Sequence, residues 1–337
     1  MKIAVLAPIA WRTPPENYGP WEQVASNITE GLVEKGVDVT LFATANSITK
    51  AKLKAVCEQP YANNPEIDPK VWESLHISHL MEQAHQFDLI HNNYDFLPLT
   101  YSGLITTPML TTIHGFSSPA ILPVYKKYNK STSYVSISDS DRSSELDYIR
   151  TIYNGICVDD FTFNDQPGDY LLFFGRIHPD KGTHEAIQIA QKTNKQLVIA
   201  GLIQDETYYN EKVKPYLNEN IRYVGNVGPE QRNSILGNAV ALLHPVHFEE
   251  PFGLSVAEAM FCGTPVIAFK KGSMKELILD RKTGFLVHSV EQAGEAVQNI
   301  PSIDRKETRK HAVENFSREK MIDAYIDVYE EILRAGR

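Results

Sequence analysis

Short, unbroken apolar runs recur along this chain, and each is followed by polar turn residues and then by a segment with helical spacing. In the first half the runs are KIAVLA, DVTLFA, DLIH, MLTTI and YVSI; in the second they are YLLFF, QLVIAG, IRYVG, AVALLH and TPVIAF. A strand that is apolar at successive positions must be covered on both faces, which is the condition of a parallel sheet with helices above and below it. The alternation predicts an α/β chain built of parallel-sheet domains. At 337 residues it has room for two domains of about 150 residues each.

The helix expected after KIAVLA carries Val24, Ile28 and Leu32 on one stripe with Ala25 and Val33 alongside, and Gly36 stands at its stop. Its polar face reads Glu22, Asn27, Glu30 and Glu34. The polar segment Phe163 to Tyr170 holds Pro and Gly and precedes a new buried run, which sets the expected domains at 1–163 and 164–316. An amphipathic helix, 317–337, closes the chain with Met321, Tyr325, Val328 and Ile332 on one stripe and opens at Ser317.

The balance of 33 basic against 42 acidic residues, a net charge of -9, argues against a nucleic-acid groove, which needs clustered positive charge. Cys57, Cys157 and Cys262 have the spacing of neither a disulfide framework nor a thiolate metal site, which points to a reducing, cytoplasmic compartment. MKIAVLAPIA reads better as a buried first strand than as a signal peptide, whose leading region is usually more basic. No apolar run approaches the roughly 18 to 20 residues that span a bilayer. Peripheral membrane contact stays open through Lys126, Lys127 and Lys130, although a solvated loop is the simpler reading of those lysines.

Chemistry concentrates in the second half. After AVALLHP, Glu250 lies in a loop, Pro251-Phe252-Gly253 turns the chain, and a helix begins at Leu254. Unpaired N–H groups and the helix dipole make such a start an anion site, and Gly253 leaves the backbone bare for close approach. Glu258, early in that helix, would accept hydrogen bonds from neutral hydroxyls such as a ribose diol. The purely structural alternative makes Glu250 a cap and Glu258 a complement to the dipole. A glycosidase pair is rejected, because the two backbones stand roughly 10 Å apart, beyond the spacing of a retaining pair. In FFGRIHPDKG, Arg176 and Lys181 emerge where a strand ends, and two cations at that edge suit a diphosphate. The order of a P-loop is absent, as is any G-x-G-x-x-G.

Weaker signals accompany these. Gly19 in PPENYGPWEQV stands just ahead of the first helix as a phosphate-approach position, with Pro20 able simply to set the helix start. His91 and His114 follow strands at an edge where a ligand would lie. His244 and His247 lack the spacing of H-E-x-x-H and a third ligand, so no metal site is expected. DSD, Asp139 to Asp141, reads as a helix cap rather than a metal motif.

Taken together, GRIHPDKG, VGNVGPEQR, EEPFGLSVAEAMFCGTPVIAF and GSMKELILDRKTGFLV resemble family 4 of the retaining glycosyltransferases, which have the GT-B fold. Glu250 and Glu258 match that family's E-x7-E motif, and YGPWEQVASNITEGLVEKGVDVTLFA, TIHG and YVSISD match its first half. The resemblance implies two Rossmann-like domains facing an interdomain cleft, with the closing helix crossing back to an acceptor-side first domain. It implies a retaining transferase that moves a hexose from a UDP- or GDP-linked sugar to a hydroxyl acceptor (saccharide, glycolipid or small metabolite) with no metal and no other cofactor.

By the same resemblance Arg176 and Lys181 would hold the donor diphosphate with the backbone of Phe252, Gly253 and Leu254, and Glu258 would bind the ribose. Glu250 would touch hydroxyls of the transferred sugar, His114 would approach that sugar from the other domain, and Gly19 would bring its loop to the phosphate. Val227 and Gly228 would border the base. Pro20 departs from the family's second glycine and removes an N–H donor there. Acceptor choice is expected in the loops NNYDFLP and GFSSPAILPVYKKYNK, with His91, Asn92 and Asp95 as acceptor-side candidates. The rival readings are a sugar-nucleotide epimerase of the same fold and a non-catalytic sugar-nucleotide binder.

Overall fold

The computed structural model describes residues 1–62, 64–115 and 119–336. Residues 116–118 of the loop GFSSPAILPVYKKYNK lie outside the described residues. The chain divides into two compact units: Met1–Gly155 together with the residues from Arg318 onward, and Ile156–Ser317.

The first unit holds a sheet of seven parallel strands: β1 (Lys2–Leu6), β2 (Asp38–Phe42), β3 (Lys52–Lys54), β4 (Leu89–Asn92), β5 (Met109–Ile113), β6 (Ser133–Ser136) and β7 (Arg150–Thr151). Their order is β3-β2-β1-β4-β5-β6-β7. The second unit holds six: β8 (Tyr170–Phe174), β9 (Gln196–Ala200), β10 (Ile221–Tyr223), β11 (Ala241–His244), β12 (Val266–Phe269) and β13 (Gly284–Val287), in the order β10-β9-β8-β11-β12-β13. Both sheets are parallel throughout, so each unit is Rossmann-like.

Every apolar run of the sequence is one of these strands. β3, β7 and β13 were not expected, and each is an edge strand. β3 and β7 are three and two residues long, polar and only half-buried, so neither has an apolar run to show. In each sheet the strand order reverses direction once, between β1 and β4 and between β8 and β11, and ligands of open α/β sheets bind outside the carboxyl ends of such a pair.

The division at Gly155 falls before the Phe163 to Tyr170 segment, because the second unit already holds the residues that precede it. Ile156 N donates to Phe316 O at 2.8 Å, the rings of Phe161 and Phe261 meet at 6.3 Å, and Asn164 N donates to Cys262 O at 3.0 Å. The helix Arg318–Ala335 belongs instead to the first unit. There Tyr329 Oη lies 2.7 Å from His91 Nδ1, Tyr325 Oη lies 2.8 Å from Thr112 Oγ1, and Arg318 pairs with Glu34 at 2.6 Å.

The helix Pro20–Glu34 buries its predicted stripe, but two residues of its expected polar face are buried as well: Glu22 is 3% exposed and Asn27 7%. Each has a specific acceptor or donor that compensates its burial, Glu22 from Trp11 N at 3.0 Å and Asn27 toward Gly155 O at 2.8 Å. Among the exposed lysines, Lys126 pairs with Glu145 and Lys130 with Asp147, so these two are neutralised on the surface. No described helix is long and apolar enough to cross a membrane.

Three buried histidines of the first unit set its response to acid. Burial pushes His76 down to about 4 and His91 and His114 down to about 3, so all three are neutral when folded and take up protons on unfolding below about 6.5. Glu22 acts with the opposite sign, since burial raises it to about 7 and the folded state holds a proton the unfolded chain releases. Asp95, also raised by burial, acts in the same sense as Glu22, so three histidines stand against two acids, and the stability of this unit should fall as pH drops from about 6.5 to 4.5, at up to about 1.4 kcal/mol per pH unit for each histidine. All three tryptophans, Trp11, Trp21 and Trp72, lie in this unit, so urea unfolding followed by tryptophan fluorescence reads it alone. A midpoint that holds steady or rises between pH 7 and pH 5 would refute the assignment.

Candidate active site

In the second unit β8 and β11 are hydrogen-bonded neighbours, so the loops leaving their carboxyl ends meet. The first passes through Gly175 and Arg176 to a short turn, Pro179–Lys181, that feeds the helix Thr183–Thr193. The second passes from His244 through Glu250 to Gly253, the cap of the helix Leu254–Phe261. His247 N donates to Asp180 O at 2.8 Å and ties the two loops backbone to backbone.

Their side chains then converge. Lys181 Nζ donates to Glu250 Oε2 at 2.7 Å and sits 4.5 Å from the centre of the Phe248 ring. His244 Nε2 lies 3.3 Å from the same carboxylate oxygen, as a close contact rather than an aligned hydrogen bond. Burial alone would hinder ionisation of Glu250, but the contact with His244 and the charge of Lys181 outweigh it and hold the carboxyl down to about 2. His244 is itself pushed down by burial, so the neutral imidazole faces an ionised glutamate whose counter-ion is Lys181.

The backbone around Glu250 is fixed from β12. Ser273 N donates to Glu250 O at 2.9 Å, Ser273 Oγ to Phe252 O at 2.8 Å, and Gly272 N to Glu249 Oε2 at 2.5 Å. Gly272 has φ 52, and a Cβ there would lie 2.3 Å from Glu250 O, so no side chain fits. Gly253 caps the helix with φ 89, again a left-handed conformation. Val256 N and Ala257 N both turn to Gly253 O, whereas among the described residues the N–H groups of Leu254 and Ser255 have no acceptor. The open helix start therefore lies at the turn that carries Glu250.

The remaining candidates of this unit stand apart from that pair. Arg176 is half-buried and bonded to Gln204, after β9. Glu258 is 6% exposed and pairs with Arg232 of the helix Pro229–Asn238 at 3.0 Å; burial raises its pKa and Arg232 opposes the rise. Arg232 also lies 5.0 Å from the centre of the Phe161 ring. Val227 is buried just before that helix, and the Phe252 side chain packs on Phe316. His247 pairs with Glu185 at 2.9 Å, away from His244. No group of three or more His, Cys, Asp or Glu suited to a metal occurs among the described residues.

In the first unit Gly19 caps the helix Pro20–Glu34, packed between Pro15 and Glu22. His114 follows β5, stacks on Trp21 with ring centres 5.9 Å apart, and bonds Asn93 Oδ1 through Nε2 at 3.0 Å; its Nδ1 is buried without a partner. His91 is not at an edge open to ligand. It lies inside β4, fully buried, with Nδ1 on Tyr329 and Nε2 on Thr112 at 2.8 Å, and so holds the carboxyl-terminal helix in place. Asn92 is likewise committed, donating to Asp95 O at 2.8 Å and Thr111 Oγ1 at 3.1 Å. Asp95, at φ 95, accepts from the buried Tyr125 hydroxyl. Asp139 accepts from Thr151 in a turn, not at a helix start, so DSD is not the helix cap that was expected.

Sequence reasoning gave no role to Arg232, His244, Phe248 or Gln204. Arg232 was visible only as part of VGNVGPEQR, and the other three become site residues through the meeting of loops.

Two family models divide the chain between them. Residues 21–160 match the model described as Glycosyltransferase Family 4, and residues 160–320 match Glycosyl transferases group 1. The chain belongs to the group 1, family 4 glycosyltransferases. An uncharacterised glycosyltransferase of Methanocaldococcus jannaschii is 25% identical over 277 residues, 74% of this chain and 77% of the relative. The solved structure of a sucrose-phosphate synthase from Thermosynechococcus elongatus superimposes with TM-score 0.80 at 20% identity, covering 99% of this chain and 100% of that one. Anabaena HepE, solved in complex with UDP and glucose, gives TM-score 0.76 at 18% identity over 98% of this chain and 99% of its own. At such identities the two structures establish the fold, which is GT-B.

The glycosyltransferase's Glu250 turn depends on Gly272. Replacing it (Gly272→Ala) forces a Cβ into Glu250 O and should lower stability by about 1 to 3 kcal/mol and depress transfer activity. Thermal melting and turnover assays check this, and an unaffected variant would show that the loop can shift freely.

Proposed function

We propose that this glycosyltransferase is a retaining, metal-independent hexosyltransferase that takes its sugar from a UDP- or GDP-linked donor and passes it to a hydroxyl acceptor. The observation that carries the reading is the Lys181–Glu250 pair beside the open start of the helix Leu254–Phe261. A diphosphate laid against that start meets the N–H groups of Leu254 and Ser255, and Lys181 and Arg176 supply positive charge from the neighbouring loop. HepE, solved with UDP and glucose, is in keeping with such a donor.

Breaking the bond between the anomeric carbon and the diphosphate oxygen leaves negative charge on the departing nucleotide. Groups already fixed around that charge stabilise it without reorganising. The new bond from the acceptor oxygen forms on the same face of the sugar, and the acceptor's proton passes to the leaving phosphate oxygen. Glu250 is too weak a base for that proton and serves instead as an acceptor for sugar hydroxyls. Glu258, buried in the second turn of its helix and paired with Arg232, takes the ribose diol.

An epimerase would isomerise the donor with no acceptor present. A thermal-shift panel of nucleoside diphosphates should identify the base through a raised melting temperature. With that donor, Lys181→Ala and Arg176→Ala should each lower turnover by about 10² to 10³ while the fold stays intact. Near-normal turnover in both variants, or isomerised nucleotide sugar in a mixture lacking acceptor, would defeat the proposal.

A further inference from the structure

The carboxylate of Glu250 has two basic neighbours, and they are not used alike. Lys181 Nζ donates to Oε2 at 2.7 Å. His244 Nε2 stands 3.3 Å from the same oxygen, yet it is buried and has no aligned hydrogen-bond partner among the described residues. Buried polar atoms rarely go without a partner, so this nitrogen calls for a further task. Packing does not supply one, since the rest of its strand, Ala241 to Leu243, is apolar and equally buried.

The elements around the ring narrow what it can respond to. The neighbouring strands bring no charge: Ala268 of β12 lies opposite His244 in register, and Phe173 of β8 lies opposite Leu243. In the loops and helices that meet there, the other charged groups have partners of their own. His178 lies 3.5 Å from Asp180, His247 2.9 Å from Glu185, Lys271 3.7 Å from Glu249 and Arg232 3.0 Å from Glu258, while Arg176 is bonded to Gln204. Burial opposes an imidazolium at His244 most strongly, Glu250 favours one, and Lys181 opposes one. The ring is therefore neutral as long as Lys181 serves Glu250 alone.

We propose that His244 is a reserve counter-ion for Glu250: when a donor diphosphate engages Lys181, the His244 ring takes up one proton from water and donates Nε2–H to the carboxylate. The inference rests on the transferase reading and deepens it. Lys181 then serves two anions, and a pocket that one cation had balanced holds an excess of negative charge. The pull of Lys181 on the ring is offset by phosphate, and the added anion favours an imidazolium. Glu250 stays ionised and in place to accept from sugar hydroxyls, which makes His244 a positioning residue and not a base in the transfer. A proton gained on binding ties affinity to pH. Donor affinity is highest at low pH and falls as pH rises from the pKa of the free ring, below about 6.5, to that of the bound ring, by up to about ten-fold per pH unit.

NMR of the full chain with isotope-labelled histidine reads the ring directly, and His244→Gln identifies its resonances. Near neutral pH the ring should be neutral in the free protein and become an imidazolium when UDP-glucose or GDP-mannose binds. Both diphosphates are esterified at each end and have no proton of their own to exchange. In Lys181→Met the ring should be an imidazolium with no ligand present, because it is then the carboxylate's remaining cation. Should that variant not fold, Lys181→Gln and the liganded parent carry the comparison. In turnover assays His244→Gln should raise the donor KM about ten-fold and remove its rise between pH 6.5 and 8, with kcat little changed. A neutral ring in the nucleotide-sugar complex or in the folded Lys181 variant, or a parent-like pH profile of the donor KM in His244→Gln, would overturn the inference. An imidazolium in Lys181→Met, in a chain to which neither nucleotide sugar binds, would instead sink the donor reading and leave the exchange of counter-ions standing.

Discussion

The contact between Lys181 and Glu250 is the constraint around which the second unit is arranged. Both side chains are largely buried, and removing either partner of such a pair strands a charge away from water. The surrounding backbone is correspondingly over-determined: two loops are tied at His247 and Asp180, the turn is pinned by Ser273, and Gly272 leaves no room for a side chain. A charge held this rigidly in a poorly solvated place acts on a ligand far more strongly than the same charge on the surface. The cost is that the pair must form with the fold.

Three carboxyls show how far surroundings decide the chemistry of one functional group. Burial presses on Glu22, Glu250 and Glu258 alike, yet only at Glu250 do neighbours, the contact with His244 and then the charge of Lys181, prevail over it, so it ionises readily while the other two are raised. Glu258 has Arg232 at 3.0 Å and is raised nonetheless, because its desolvation is the larger effect. Nothing in the letters EEPFGLSVAE distinguishes the two glutamates in this respect. The difference comes from His244 and Lys181 beside one glutamate and Arg232 beside the other, all outside that stretch.

That division marks how much the sequence reveals. Strands covered on both faces announce themselves as unbroken apolar runs, which is why ten of the thirteen strands were legible and the short polar edges β3 and β7 were not. Local chemistry at a strand end was legible too: Lys181, Glu250 and Gly253 follow from where the runs stop. Long-range partners were not. His91 looked like a loop histidine until the hydroxyl of Tyr329, 238 residues later in the chain, was found on its ring. Glu22 and Asn27 read as a solvated face because helical periodicity reports where apolar residues lie, not whether a polar one has found a buried partner.

The strength of Glu250 as an acid also bears on the proposed reaction. A group that stays ionised down to about pH 2 has little affinity for a proton near neutrality, so it cannot take one efficiently from an acceptor hydroxyl. On the proposed reaction the strongest nearby base is then the departing phosphate oxygen, whose basicity grows as its bond to the sugar breaks. On that reading, the weakness of Glu250 as a base is what leaves the proton to the leaving group.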